Sequence, residues 1–226
     1  MLIGYFKYVF IYMGIIMVHE MGHFVTAMYY AWRVDRIYIY PYGGYSKFND
    51  DINKPLKEEL IILLMGPLVQ ICYYYFLSFL GVDGISIYHY SILVFNLLPI
   101  YPLDGGKMLN ILMSYKMPYK ESYIWTIIVS GLIFAVCIGM IIKFFLSISI
   151  VMMFMLLLYK LLESYKERMF CFNKFVLERY INNYNFKKIK VVKKVDKMSR
   201  DYKHVFDNDG HYKSEKEELR KYYGRH

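Results

Sequence analysis

Long apolar runs separated by short polar stretches dominate the first 162 residues. The runs Leu2 to Tyr30, Leu60 to Leu80, Ser86 to Met113, Tyr123 to Ile142 and Phe144 to Leu162 each approach or exceed the ~20 residues that carry a helix across a bilayer. The pattern predicts an all-α polytopic membrane protein of about five transmembrane helices. One interruption is different: from Arg36 to Tyr45 the β-branched and aromatic residues suit an extended segment, and Gly43-Gly44 permit a turn. Beyond Leu162 the character changes. A helix continues through Asn182, short strands follow at Ile189 to Val195 and Tyr202 to Phe206, and Asp207-Asn208-Asp209-Gly210 signals a turn. Ser214 with Glu217 makes a capping box for a last helix.

Composition supports the membrane reading, since 57% hydrophobic residues and a mean hydropathy of +0.26 exclude an ordinary soluble domain. The first run lacks a basic head and a small-residue cleavage site, so it reads as a retained helix and not a signal peptide. Charge is uneven. Residues 163–226 carry a net +7 and residues 1–162 only +2, which predicts a small basic tail outside the bilayer. Five Lys/Arg fall between Arg33 and Lys57 and three between Lys107 and Glu121. By the positive-inside rule these loops and the tail are cytoplasmic and the N-terminus is outside. The patch Lys187-Lys188-Ile189-Lys190, followed by Lys193-Lys194, fits a solvated face, a contact to anionic lipid, or a dock for an acidic protein. No recognition motif for nucleic acid accompanies it. Cys72, Cys137 and Cys171 are too scattered for a disulfide framework or a thiolate zinc site. His89, His204, His211 and His226 read as surface or loop residues.

The chemistry concentrates in two clusters inside apolar sequence. The first is His19-Glu20-Met21-Gly22-His23. Helical residues four apart share a face, so His19 and His23 can aim at one zinc ion, and Glu20 beside them can act as general base toward an activated water. Such groups at bilayer depth cost about 2 kcal/mol or more each unless paired or metal-bound. The second cluster runs from Asn96 to Gly106 and contains Pro99, Pro102, Asp104 and Gly105-Gly106. Catalytic zinc usually takes three protein ligands, and Asp104 is the buried candidate for the third. The prolines cannot continue a helical ladder, so a broken helix is expected there, lining a wet or protein-walled cavity.

Together these motifs resemble the site-2 proteases, the family of intramembrane zinc metalloproteases. Pro41-Tyr42-Gly43-Gly44, Pro55-Leu56-Lys57-Glu58-Glu59, Gly66-Pro67-Leu68, the run from Asn96 to Lys107, and Leu177-Glu178-Arg179-Tyr180 resemble its sporulation branch in particular. The resemblance implies a zinc cofactor and hydrolysis without a covalent intermediate. It also implies a membrane-dipping β segment in which Pro41, Gly43 and Gly44 hold an extended substrate, and an Asn96 amide that holds substrate backbone or the developing oxyanion. Gly66 and Pro67 would serve close helix packing. On this reading residues 1–162 form the intramembrane metalloprotease domain of a bacterial cell-membrane protein, and 163–226 form its cytoplasmic tail. The branch implies a membrane-associated sporulation sigma factor as substrate and membrane partners that inhibit the enzyme. An anti-sigma factor or remnant signal peptides as substrate, or a catalytically idle scaffold, stay open. Branch members typically have one more helix before the zinc helix, where 18 residues precede His19 here, and a regulatory module of the cystathionine-beta-synthase type after it. Residues 163–226 leave room for little more than the beginning of that module.

Overall fold

The computed structural model describes residues 2–32, 34–40, 43–48, 52–82, 84–144, 147–208 and 210–224. In chain order the elements are helix α1 (Leu2–Tyr29), strands β1 (Val34–Tyr40) and β2 (Gly43–Phe48), and helices α2 (Leu56–Phe79), α3 (Ser86–Leu97), α4 (Asp104–Ser114), α5 (Tyr119–Phe144) and α6 (Ile148–Ile181). Strand β3 (Lys188–Val192), a 3-10 turn (Val195–Lys197), β4 (Tyr202–Asn208), β5 (His211–Ser214) and helix α7 (Glu215–Tyr223) follow. The chain forms two compact units, one of residues 1–50, 57–98 and 103–105, the other of 51–56, 99–102 and 106–226.

Among the described residues four helices are long and apolar enough to cross a membrane, within Tyr8–Tyr29, Leu56–Phe79, Tyr119–Ile141 and Ile148–Ile181. The remaining expected span is broken: Ser86 to Met113 forms the 12-residue α3 and the 11-residue α4. At 1.5 Å per residue neither alone reaches the ~30 Å of a hydrocarbon core. Pro99 and Pro102 lie between them and lack the N–H groups that would carry one helix into the other.

In the first unit, α1 turns its greasy side outward. Met13, Met17, Met21, Val25 and Met28 form an exposed stripe at helical spacing, while Ile16, His19, Glu20, His23 and Ala27 are buried. Polar groups inside and hydrocarbon outside is the distribution that a lipid solvent selects, and the protein is an integral membrane protein. Beside α1, β1 and β2 pair antiparallel, with Tyr40 opposite Gly43 and Ile39 opposite Gly44. The two glycines therefore sit in the ladder and do not form the turn. Pro41 and Tyr42, between the strands, lie outside the described residues.

The second unit holds α5, α6 and the tail. Its strands run in the order β3-β4-β5, with β3 parallel to β4 and β4 antiparallel to β5. The first tail strand stops at Val192, short of the expected Val195, and β5 has no hydrophobic alternation in its sequence to announce it. The turn reading agrees with Gly210 at φ +88° and with its N–H donating to Asp207 Oδ1 at 3.0 Å; Asp209 is outside the described residues. The capping box of α7 forms with both of its hydrogen bonds. Phe172, Phe175 and Val176 of α6 pack with Val192, Met198, Phe206 and Leu219 in the core.

That core encloses a polar network. Arg179 Nη1 donates to Tyr202 O at 2.7 Å and to Glu215 Oε1 at 3.2 Å, and Nη2 to Ser199 O at 2.9 Å. The network also takes in the loop ahead of α2: Asn53 Nδ2 donates to Phe175 O at 2.9 Å, Arg179 Nε to Asn53 Oδ1 at 2.6 Å, and Arg200 Nη2 to Lys54 O at 3.0 Å. Leu56 N–H donates to the Asp201 carboxylate at 3.2 Å, so the first turn of α2 is satisfied by a tail residue. His204, expected at the surface, is fully buried. It accepts the Ser199 N–H at Nε2, 3.0 Å away, and lies against Glu215. Burial holds the His204 imidazole below its usual pKa. Burial pushes the Glu215 carboxyl up, but the hydrogen bond from His204 and the charge of Arg179 outweigh it and leave Glu215 below the usual range.

Candidate metal centre

α1 brings His19 and His23 to one face, one turn apart, and both rings are buried. Two glycines let this face approach its neighbour. A Cβ on Gly22 would meet the Met65 carbonyl and the Gly66 Cα, and one on Gly66 of α2 would collide with the His23 ring. Packing of α1 against α2 through small residues is the membrane solution to close approach. Asp104 arrives as the first residue of α4, and the next residue must be glycine, because a Cβ on Gly105 would strike the carbonyls of Leu97 and Leu98.

The three side chains converge. Asp104 Oδ2 lies 3.0 Å from His19 Nε2 and 3.0 Å from His23 Nε2, and the two nitrogens are 3.2 Å apart. Each histidine has its other nitrogen engaged: His23 Nδ1 lies 2.8 Å from Ile62 O, and His19 Nδ1 lies 2.8 Å from Gln70 Oε1. Both partners are acceptors, so each ring carries its proton on Nδ1 and turns the Nε2 lone pair toward the other ring and the carboxylate oxygen. Three lone pairs facing one point repel unless a cation lies among them. Ligand bonds of ~2.0–2.1 Å in a tetrahedral zinc site place donor atoms about 3.3 Å apart, and the observed triangle has nearly that edge. The residues therefore fit zinc. Glu20, buried, has a ligand-capable oxygen that falls with those of His19 and His23 within 4.8 Å of one another.

The remaining sequence candidates lie at different distances from this triangle. Asn96, near the end of α3, places Nδ2 3.4 Å from His19 Nε2. Gly43 and Gly44 lie in β2 beside α1, and Pro41 is outside the described residues. Sequence reasoning missed Gln70 and His89. Gln70 is fully buried on α2, one turn beyond Gly66, and its Nε2 donates to His89 O at 3.0 Å. His89 belongs to α3, is 2% exposed and stacks on Tyr74, which corrects its reading as a surface residue. The available signal was a lone amide in the apolar run from Leu60 to Leu80, where an unsatisfied polar group is costly.

Comparison with known proteins agrees with this geometry. The model of Peptidase family M50 matches residues 7–86. Stage IV sporulation protein FB of Bacillus subtilis is 34% identical over 191 residues, covering 80% of this chain and 66% of that protein. A zinc metalloprotease of Methanocaldococcus jannaschii is 30% identical over 119 residues, covering 47% of this chain and 34% of that protein. The chain thus spans just under two thirds of the first relative's length and about a third of the second's. Among solved structures, the site-2 protease from Methanocaldococcus jannaschii superposes with a TM-score of 0.53 at 24% identity, covering 70% of this chain and 76% of that one, which establishes a common fold. Two buried histidines on α1, an aspartate delivered by a broken helix pair, and the match over residues 7–86 show that the chain carries a Peptidase family M50 domain, the domain of the site-2 proteases.

Proposed function

We propose that this protein is an intramembrane zinc endopeptidase, with His19, His23 and Asp104 as metal ligands and Glu20 as catalytic base. The observation that carries the reading is the triangle of three buried lone-pair donors with edges of 3.0, 3.0 and 3.2 Å. When bound, zinc supplies Lewis acidity that polarises a scissile carbonyl and acidifies water. Glu20 accepts a proton as the water oxygen adds to the carbonyl carbon, and returns it to the leaving amine as the C–N bond breaks. The Asn96 amide donates to the substrate backbone or to the developing oxyanion. An extended substrate adds to the β1–β2 ribbon, because a helical peptide bond is shielded by its own hydrogen bonds.

We read residues 1–162 as the protease domain and 163–226 as a basic cytoplasmic tail, with the N-terminus outside. The substrate is a membrane-associated protein. The similarity to a stage IV sporulation protein supports a bacterial membrane and a finer reading, removal of a pro-sequence from a sporulation sigma factor under the control of inhibitory membrane partners. Purified Glu20→Gln is expected to retain zinc and lose nearly all peptidase activity, while His19→Ala and Asp104→Ala lose zinc. Metal analysis beside a cleavage assay decides between the roles. Zinc loss in Glu20→Gln equal to that in His19→Ala would make Glu20 a ligand and remove the proposed base. Proteomics of membranes from a deletion strain identifies the substrate as the protein that accumulates uncut.

A further inference from the structure

We infer that Gln70 is a positioning residue for the metal site: it locks His19 in the tautomer that presents Nε2, and the backbone carbonyl of His89 locks Gln70 in turn. The inference rests on the zinc reading above and extends it to α2 and α3. The two histidines are oriented by different means. His23 leans on a main-chain carbonyl, Ile62 O, which can only accept, so its Nδ1 must carry the proton. His19 leans on a side-chain amide, and an amide has two ends. Turned the other way, Gln70 would offer its NH2 to Nδ1, drive the proton to Nε2 and blunt a ligand.

The structure removes that alternative. Gln70 Nε2 donates to His89 O at 3.0 Å and lies 3.3 Å from His89 Nδ1, which leaves Oε1 facing His19 Nδ1 at 2.8 Å. The flipped amide would set Oε1 against the His89 carbonyl oxygen, two acceptors at hydrogen-bond distance in a site with no water-facing escape, since Gln70 is 0% exposed. His89 is itself fixed. Its ring stacks on Tyr74 with centroids 4.3 Å apart and planes 16° apart, and Tyr74 lies one turn beyond Gln70 on α2. A chain of contacts therefore runs from α3 through α2 to the ligand on α1, all within one compact unit. Partners of this kind, one shell out from a ligand, typically govern 10–100-fold of metal affinity.

The test uses the full chain in detergent. Gln70→Met keeps the length of the side chain and removes the acceptor. Gln70→Glu restores an acceptor oxygen to His19 Nδ1 in either protonation state. Zinc affinity is read by chelator competition, ligand geometry by the visible absorption of the cobalt-substituted protein, and folding by thermal unfolding of the metal-free chain. Gln70→Met is expected to bind zinc about 10–100-fold more weakly with an altered cobalt spectrum, and Gln70→Glu to recover most of the affinity. Should the Met variant fail to fold, Gln70→Leu replaces it. Wild-type affinity in a folded Met or Leu variant overturns the inference, and so does a Glu variant as weak as they are, which would reduce Gln70 to packing. A wild-type chain that holds no zinc overturns the metal reading itself and is told apart by that result.

Discussion

A single methyl group at Gly66 should cost this protein its metal. A Cβ there would lie 2.9 Å from His23 Cδ2 and closer still to Cε1 and Nε2, where carbon contacts need ~3.5–4.0 Å. The ring or the helix must yield by about 1 Å. The helix cannot close up elsewhere, because Gly22 already lies against the Met65 carbonyl. Metal sites tolerate errors of about 0.2 Å in ligand distance, so His23 would be carried out of the triangle by several times that tolerance. We expect Gly66→Ala to weaken zinc binding at least about tenfold and to destabilise the metal-free chain by about 1–3 kcal/mol through overpacking. Gly131 on α5 is the control: nothing lies within 4 Å of its Cβ position, and Gly131→Ala should be neutral or stabilising by up to ~1 kcal/mol through helix propensity. Zinc titration against a graded chelator, with thermal unfolding of both variants, makes the comparison. Wild-type zinc affinity in Gly66→Ala would refute the idea that this contact holds His23 in place.

Two further predictions concern the tail. Because the pKa of buried His204 lies below its ordinary value, the unfolded chain binds the extra proton first. The stability that His204 contributes is complete above about pH 6.5 and is lost as pH falls below it. Glu215, also held low by the hydrogen bond from His204 and the charge of Arg179, adds a second loss below about pH 4.5. Amide-exchange protection of Lys203 to Phe206 should therefore fall between pH 7 and 5.5, and constant protection over that range would refute the linkage. For topology, in a chain freed of native cysteines an impermeant thiol reagent on intact cells should modify a cysteine at Leu2 and spare one at Tyr212, which is 69% exposed. Labelling of Tyr212→Cys without permeabilisation would turn the tail to the other side.

The parts of the fold that were legible in the sequence are those set by local chemistry. The apolar runs located the long helices, Pro99 and Pro102 foretold the broken pair, and Ser214 with Glu217 marked the start of α7. His19 and His23 announced themselves by spacing, and Asp104 by its place in an apolar stretch. What the sequence hid depends on distant partners. Gln70 and His89 gain meaning only when α1, α2 and α3 meet, and neither has a periodic companion. His204 looked exposed because it has no partner at ligand spacing, yet β4 is the central strand of the tail sheet and buries it. β5 was invisible because its residues, His211 to Ser214, are polar and its pairing to β4 is what makes it a strand.

The bond from Leu56 N–H to Asp201 joins residues 145 positions apart. At synthesis rates of ~5–20 residues per second, the ribosome needs roughly seven to thirty seconds to reach the second after making the first. Throughout that interval the opening turn of α2 exists without its partner, as do Asn53 and the Lys54 carbonyl, which the tail also engages. The loop that leads into α2 therefore acquires its final hydrogen bonds only once the tail has emerged and folded. Maturation of the protein has a clock in it, and a nascent chain stalled before Asp201 would carry every proposed ligand of the metal centre while the start of α2 still waited for its cap.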